Sequence, residues 1–385
     1  MLTGYILFSI ALALSYAGLL HCYVRAWRRL PAWQTPPDFV PGTRVSVLIP
    51  ARNEAANIGP CLAAWRRCAY PRHLLEILVI DDDSADSTAE IARQIARNSE
   101  LNIRVLRLSD APTPGDRPFS GKKKALEWGV AQAQGQLIVS TDADAQPSPQ
   151  GLLLLVSLFE TQQPKAIAGP VQLREGHNLL QHFQALDFAG LMGITGAGIH
   201  LGWQHLGNGA HLAYPKSVFE AVGGFAASED RASGDDLFLL QDIARRWPGE
   251  IRFLKNADAT VFSDPCPDAR SFFQQRLRWG TKNAALPETQ VRLVLALVLL
   301  FCCSILLNAG LALFYPRLIG LLAGQLALKA LSDARLLVMM CRFFRVGHLL
   351  RWFWSSFLLH PLYIAGAGLA SLCWKQYEWK GRRLH

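Results

Sequence analysis

Residues Leu2 to Val24 form a run that contains no Asp, Glu, Lys or Arg. As a helix, roughly 20 such residues span a hydrocarbon core about 30 Å thick. Three more apolar segments follow late in the chain: Val291–Phe314, Pro316–Met340 and Phe353–Trp374. The stretch between the two apolar ends has ordinary globular composition. Half of the chain is hydrophobic (51%) and only 18% is charged, and the apolar excess sits at the ends, so a soluble single domain is excluded. The first segment is followed, not preceded, by Arg25, Arg28 and Arg29. That order marks an uncleaved anchor with its amino end outside and the next residues cytoplasmic. Pro31, Pro36, Pro37 and Pro41 then make a stiff linker.

The later segments pose a topological problem. Pro316–Met340 carries Lys329, Asp333 and Arg335, and Lys329 and Asp333 are spaced to pair along one helix face. Phe353–Trp374 is interrupted by His360-Pro361, Gly366 and Gly368. Four full crossings would leave the basic tail around Lys380–Arg383 outside, against the positive-inside rule. The last segment is therefore expected to be a re-entrant or in-plane hairpin hinged at Pro361. The net charge of +9 is partly built from clusters beside the apolar segments, which favours anionic lipid headgroups over nucleic acid as partner. The eight Cys form no C-x-x-C pair and read as small buried hydrophobes, with no zinc site or disulfide frame.

Within the middle stretch, strand and helix patterns alternate. Val45–Pro50, Leu75–Ile80, Ile103–Leu108 and Leu137–Thr141 read as strands. Each of three strands runs into a polar cluster: Arg52-Asn53-Glu54, Asp81-Asp82-Asp83, and Asp142 with Asp144. Such alternation predicts a mostly parallel sheet with helices on both faces, and ligands bind beyond the carboxyl ends of its strands. Asp142 and Asp144, one residue apart, are expected to share one face of extended chain and to attract a hard cation with oxygen ligands, Mg²⁺ or Mn²⁺, which could in turn grip a diphosphate. Taken alone, a D-x-D is more often a solvated loop, Lys122–Lys124 a charge run, and Asp81–Asp83 a helix-start cluster.

Further on, Ser87–Glu90 reads as a capping box, and Ala166–Leu173 as a strand. Gly190–Gly209 is a glycine-rich segment able to line a pocket; it contains His200 and His205, with His211 just beyond, and these are read as structural or pocket-lining. Asp235-Asp236 opens an apolar helix that one of them could cap. Ser271–Trp279 is basic, aromatic and amphipathic, as suits a helix at a membrane interface.

In order along the chain stand Val45-Ser46-Val47-Leu48-Ile49-Pro50-Ala51-Arg52-Asn53-Glu54, Asp81-Asp82-Asp83-Ser84 with Asp86 and Thr88, Lys122 with Ala125-Leu126, Asp142-Ala143-Asp144, Gly234-Asp235-Asp236, and Gln275-x-x-Arg278-Trp279. This set resembles the membrane-bound glycosyltransferases of family 2, similar to ceramide glucosyltransferases and to cellulose and hyaluronan synthases. The resemblance covers roughly residues 43 to 282 and the final Trp379-Lys380-Gly381-Arg382. It implies a GT-A fold, a mostly parallel mixed sheet flanked by helices, and an inverting transfer from a nucleotide-diphosphate sugar, expected to be UDP-linked. It implies that Pro50, Arg52, Glu54 and Asp82 hold the nucleoside, that Lys122 lies near the diphosphate and that Asp144 ligates the metal with Asp142 beside the sugar. It further implies that Asp236 is general base with Asp235 beside it, and that Gln275, Arg278 and Trp279 serve the diphosphate and the acceptor. The chain departs from the pattern at Asp235, where Glu is commoner, and at Asp83, where Gly is commoner.

The organisation expected is an anchor over 1–30, a cytoplasmic catalytic domain over 43–284, a membrane bundle over 291–375 and a basic cytoplasmic tail over 376–385. The acceptor is expected to be a membrane lipid, or else a growing glycan made by a processive synthase, and the membrane a bacterial inner membrane. A nucleotidyltransferase and a non-catalytic nucleotide-sugar-binding membrane protein are the rival readings.

Overall fold

The computed structural model describes residues 2–111, 121–226, 234–283, 288–373, 377–379 and 382–384. The chain divides into two compact units. One comprises Pro31–Arg174, His205–Asp264 and Glu378–His385; the other comprises Met1–Leu30, Glu175–Gln204 and Pro265–Tyr377. Glu175–Gln204 and the motif around Gln275 thus belong with the apolar helices, although they fall within the interval 43–284.

The first unit is built on strands β1 (Val45–Ala51), β2 (Leu75–Asp81), β3 (Asn102–Arg107), β4 (Leu137–Ser140), β6 (Ala166–Ala168), β8 (Leu212–Pro215) and β9 (Ile251–Phe253). Their order across the sheet is β3-β2-β1-β4-β8-β6-β9. β8 runs antiparallel to both β4 and β6, while the pairings among β1 to β4 and between β6 and β9 are parallel. β1 and β2 are buried along nearly their whole length, as a sheet covered on both faces requires. Val47 and Ile49 share one cluster with Ile58, Leu62 and Trp65 of α2 (Ile58–Arg66) and Leu152 and Leu155 of α5 (Gly151–Gln162). On the other face Leu48 and Ile80 press against Gly129 of α4 (Gly121–Gln132), where an added Cβ would stand 3.1 Å from Ile80. A Glu in the middle of such a sheet needs partners. Glu76 of β2 accepts from the Ser46 hydroxyl at 2.5 Å and from the Gln134 N–H at 2.5 Å.

Strand order reverses between β1 and β4. The β1 connection leads to β2 on one side, and β4 sits on the other, so a crevice opens at the carboxyl ends of these two strands. A second sheet, β5 (Gln146–Pro147), β10 (Val261–Ser263) and β7 (Val171–Leu173), follows directly from β4.

Several local expectations are corrected. Ala166–Leu173 is two strands in two sheets, because Gly169-Pro170 breaks the run where Pro170 has no N–H to give a ladder. No capping box forms at α3 (Thr88–Arg97): Ser87 makes no side-chain cap bond, and Asp86 instead accepts from the Thr88 N–H at 3.0 Å. All eight Cys are free, but Cys22 and Cys373 are exposed rather than buried, both on apolar helices.

The second unit contains α1 (Leu2–Arg29), α6 (Leu179–Leu201), α9 (Ala269–Asn283), α10 (Thr289–Leu311), α11 (Leu318–Phe343) and α12 (Phe353–Cys373). Among the described residues three segments are long and apolar enough to cross a membrane: Leu2–Arg29, Thr289–Leu311 and Gly347–Cys373. α11 is as long but carries charge. Its Lys329 pairs with Asp333 one turn on, and Tyr16 of α1 donates to the same carboxylate at 2.6 Å. Farther along, Tyr5 donates to Asn308 at 2.6 Å, Asn308 to Gln325 at 2.8 Å, and Gln325 to Ser304 at 3.1 Å. Buried polar groups in such a bundle hold helices together because no water competes for them.

The last apolar segment is one helix, not a hairpin: α12 continues through Pro361. Proline removes one backbone bond but does not force reversal, and apolar helices tolerate it where neighbouring helices surround it. Nor does Gly190–Leu201 form a pocket wall. It lies in α6, where Gly190 and Gly193 let Leu337 and Met340 of α11 approach. The carboxyl-terminal strands β11 (Tyr377–Trp379) and β12 (Arg382–Leu384) pair with each other; Lys380 and Gly381 of the terminal motif lie outside the described residues.

Candidate active site

The residues singled out in the first unit gather at the carboxyl edge of the sheet. The loops after β1 and β2 are stitched together there. The Asn53 N–H donates to the Ser84 hydroxyl at 3.0 Å, the Ala85 N–H to the Asn53 side chain at 2.8 Å, and the Glu54 N–H to the Thr88 hydroxyl at 2.7 Å. The Ala55 N–H donates to Asp86 at 3.1 Å. Those bonds explain why Ser84, Asp86 and Thr88 accompany the acidic run: they shape the loop. Asn53 and Asp83 both adopt left-handed backbone, φ 51° and 52°. Asn and Asp tolerate that region better than other side-chain-bearing residues, so Asp83 fills a position where a glycine would be at ease.

Arg52 donates to the Asp82 carbonyl at 2.5 Å and stands 4.0 Å from the Asp82 carboxylate, itself nearly inaccessible. Pro50, next to last in β1, pairs with Ile80, and Ala51 closes the strand opposite Asp81. Glu54 is turned inward, buried, and accepts from the Asn57 side chain at 2.7 Å. It therefore braces the loop.

The second group centres on Lys122, at the start of α4. Its ammonium donates to Asp142 Oδ1 at 2.8 Å and lies 3.4 Å from Asp235 Oδ2. Burial works against its charge, but Asp142, Asp235 and Asp236 outweigh that and hold it protonated well above the ordinary lysine range. Asp236 Oδ2 accepts from the Gly209 N–H at 2.8 Å. A Cβ on Gly209 would stand 3.1 Å from the Lys122 ammonium and 3.6 Å from both Asp235 and Asp236. Gly209 thus lets its backbone approach the charged cluster closely, as only a residue without a Cβ can. Gly234, at φ 90°, turns the chain into α8 (Asp235–Arg246), so both acids occupy the first turn, where the helix dipole favours them. The two differ in setting. Asp235 is buried against Lys122, whereas Asp236 is half-buried and also accepts from the Leu237 N–H.

Asp142 and Asp144 do not share one face of an extended strand. β4 ends at Ser140, and Ala145 N–H donates back to the Asp142 carbonyl at 3.0 Å, closing a turn. Ala143 and Ala145, both buried, pull that turn into the core. The carboxylates consequently have different partners: Asp142 meets Lys122, and Asp144 accepts from the Ser263 hydroxyl at 3.3 Å. Ser263 ends β10 and carries no motif that would have announced it.

Among the described residues no group of three or more His, Cys, Asp or Glu side chains is placed to hold an ion unaided. The donor set nevertheless fits Mg²⁺ or Mn²⁺. Two carboxylates are the usual protein share for such an ion, which keeps waters or takes phosphate oxygens for the rest. The Asp142 carboxylate, paired with Lys122, is 36% exposed. His211 is not a candidate ligand: it is buried and bonded to the Pro170 carbonyl at 3.1 Å, and burial lowers its pKa to about 4.

Gln275, Arg278 and Trp279 lie on α9, in the other unit. There the intervening Arg276 is buried, as are Leu277 and Phe272, and it pairs with Asp187 of α6 at 3.2 Å. Neither Arg276 nor Asp187 stood out in the sequence.

Residues 46–206 match the family model "Glycosyl transferase family 2", and residues 137–374 match "Glycosyl transferase family group 2". The chain is 28% identical over 295 residues to "Probable glycosyltransferase YdaM" of Bacillus subtilis, covering 73% of this chain and 66% of that protein. It is 34% identical over 131 residues to "Beta-monoglucosyldiacylglycerol synthase" of Trichormus variabilis, covering 34% of this chain and 26% of that one. The chain thus spans less than two thirds of the length of these curated relatives. Among solved structures, the mannosyltransferase PcManGT from Pyrobaculum calidifontis, in complex with GDP-Man and Mn²⁺, superposes with a TM-score of 0.59 at 21% identity, over 96% of this chain and 99% of that one. That likeness establishes the fold, GT-A, which the sheet order and the crossovers already describe.

Proposed function

The chain is a glycosyltransferase of family 2, and from that premise we propose that it moves one sugar, with inversion, from a UDP-sugar to a lipid hydroxyl at the cytoplasmic face of a bacterial inner membrane. The observation that carries this reading is the Lys122 cluster. One ammonium, held charged by three carboxylates, lies at the carboxyl edge of the sheet beside a half-buried acid.

In the proposed reaction Asp236 accepts the proton of the acceptor hydroxyl as that oxygen bonds to the anomeric carbon. The bond from that carbon to the diphosphate oxygen breaks, and direct displacement inverts the centre. Lys122, released from Asp142 and Asp235, stabilises the negative charge that collects on the departing diphosphate. Asp144 and Asp142 would hold Mg²⁺ or Mn²⁺, which supplies further charge stabilisation to the same leaving group. Arg52 and Asp82 face the nucleoside, with Pro50 and Glu54 shaping its loop. Gln275, Arg278 and Trp279 are assigned, by the family resemblance, to the diphosphate and the acceptor. A lipid acceptor is supported by the three membrane-length apolar segments and by the glycolipid synthase among the relatives.

The test is product analysis. Purified protein in lipid nanodiscs receives radiolabelled UDP-, GDP- or dTDP-sugars, and the label is followed into solvent extracts. The expected product is an extractable lipid bearing one sugar, made from a UDP donor. Label in a polymer would replace this reading with a processive synthase. Released pyrophosphate would replace it with nucleotidyl transfer.

A further inference from the structure

Arg276 stands inside the Gln275–Trp279 motif, yet no role attaches to it. Among the described side chains of α9 it is the most deeply buried cation, only 5% exposed. Its Nη2 lies 3.2 Å from Asp187 Oδ2, and Tyr363 of α12 donates to the same oxygen at 3.5 Å. The guanidinium is also surrounded by rings. It stands 4.3 Å from the Trp279 centroid, 4.9 Å from Phe272 and 5.5 Å from Tyr363. Phe272, Arg276 and Trp279, at i, i+4 and i+7, form one face of the helix. Gln275 and Arg278, one turn apart, lie beside each other on the neighbouring face.

We propose that the Arg276–Asp187 pair is a positioning device that fixes the rotation of α9 about its axis, and with it the direction in which Gln275 and Arg278 project. An apolar side chain would fill the same space and often stabilise as well. What a planar guanidinium adds is orientation: it must meet the carboxylate edge-on while its face lies on the rings. Phe272 and Trp279 are on α9 and move with Arg276, so rotation of α9 breaks the contacts that reach other helices, the Asp187 pair and the Tyr363 ring. The inference rests on the proposed function, since it assumes that Gln275 and Arg278 act on the diphosphate and acceptor.

Two variants test it in the full-length protein in nanodiscs. Asp187→Leu with Arg276→Met removes both charges together, so no lone buried charge remains. Arg276→Lys keeps the charge and loses the plane. For both, donor binding by titration and the folded fraction by thermal melting are read beside transfer. The expected result for the double variant is wild-type melting, with turnover at saturating donor lower by on the order of ten- to a hundred-fold, the cost of misplaced groups. Arg276→Lys should fall in the same direction with its melting preserved. Wild-type turnover in either folded variant overturns the proposal, and so does a loss that merely tracks the folded fraction. Failure of the unaltered protein to transfer sugar at all would instead sink the proposed function, so the two failures are separable.

Discussion

Asp236→Asn should lower sugar transfer by about a thousand-fold, within the span that loss of a general base produces, while donor Kd stays within about two-fold. The substitution is nearly isosteric. An amide oxygen still accepts the Gly209 N–H now bonded to Asp236 at 2.8 Å, so the turn before β8 keeps its anchor. What disappears is the only half-buried carboxylate of the Asp235–Asp236 pair, and with it the group able to take a proton. Asp235 is a poor substitute, being buried and engaged with Lys122 at 3.4 Å. Initial rates with saturating donor, beside a donor titration, check both halves. Retained turnover in Asp236→Asn would move the base elsewhere and favour a non-catalytic or differently catalytic reading.

Lys122→Met is expected to cost more than turnover. Its ammonium neutralises Asp142 directly and Asp235 at short range, and Asp235 has almost no access to water. Removing it leaves a buried carboxylate uncompensated, a change that typically destabilises by about 3–5 kcal/mol when a buried pair is broken. Because Lys122 is itself 23% exposed, the lower end of that range applies here. Catalysis should fall by on the order of a hundred- to a thousand-fold as well, from the lost stabilisation of the leaving group. Lys122→Arg should recover the stability more than the rate, since the charge returns but the point geometry does not. Thermal melting and initial rates on the three proteins separate the two effects.

Much of the sheet could be read directly because strands covered on both faces are continuous apolar runs. Val45–Pro50 and Leu75–Ile80 announced themselves in this way, and so did the clusters at their ends. The gathering of Arg52, Asp82 and Asp142 at one edge followed from strand direction, whereas Lys122 and Asp236, at helix starts, were pointed to only by the family resemblance. What was not legible depends on contacts remote in sequence. Asp144 and Ser263 are 119 residues apart, and nothing local marks Ser263 as a partner. Asp187 looked like an ordinary residue of a helix until Arg276, 89 residues away, was placed against it. The extended-strand reading of Asp142–Asp144 failed because the chain turns there, the Ala145 N–H bonding back to the Asp142 carbonyl, although half-buried acids and buried alanines do alternate. Pro361 misled for a different reason: proline ends helices in water far more reliably than among apolar neighbours.

A metal titration of donor binding bears most directly on the claim that these strand-end acids and Lys122 make a nucleotide-diphosphate site. The protein in nanodiscs is titrated with UDP-sugar in Mg²⁺, in Mn²⁺ and in EDTA, beside Asp144→Asn. Binding should weaken by on the order of ten-fold or more in EDTA, and Asp144→Asn should reproduce that loss in the presence of either ion, because a hard cation shared between carboxylate and diphosphate is absent in both. Equal affinity under all of these conditions would contradict a donor site at the carboxyl edge of β4.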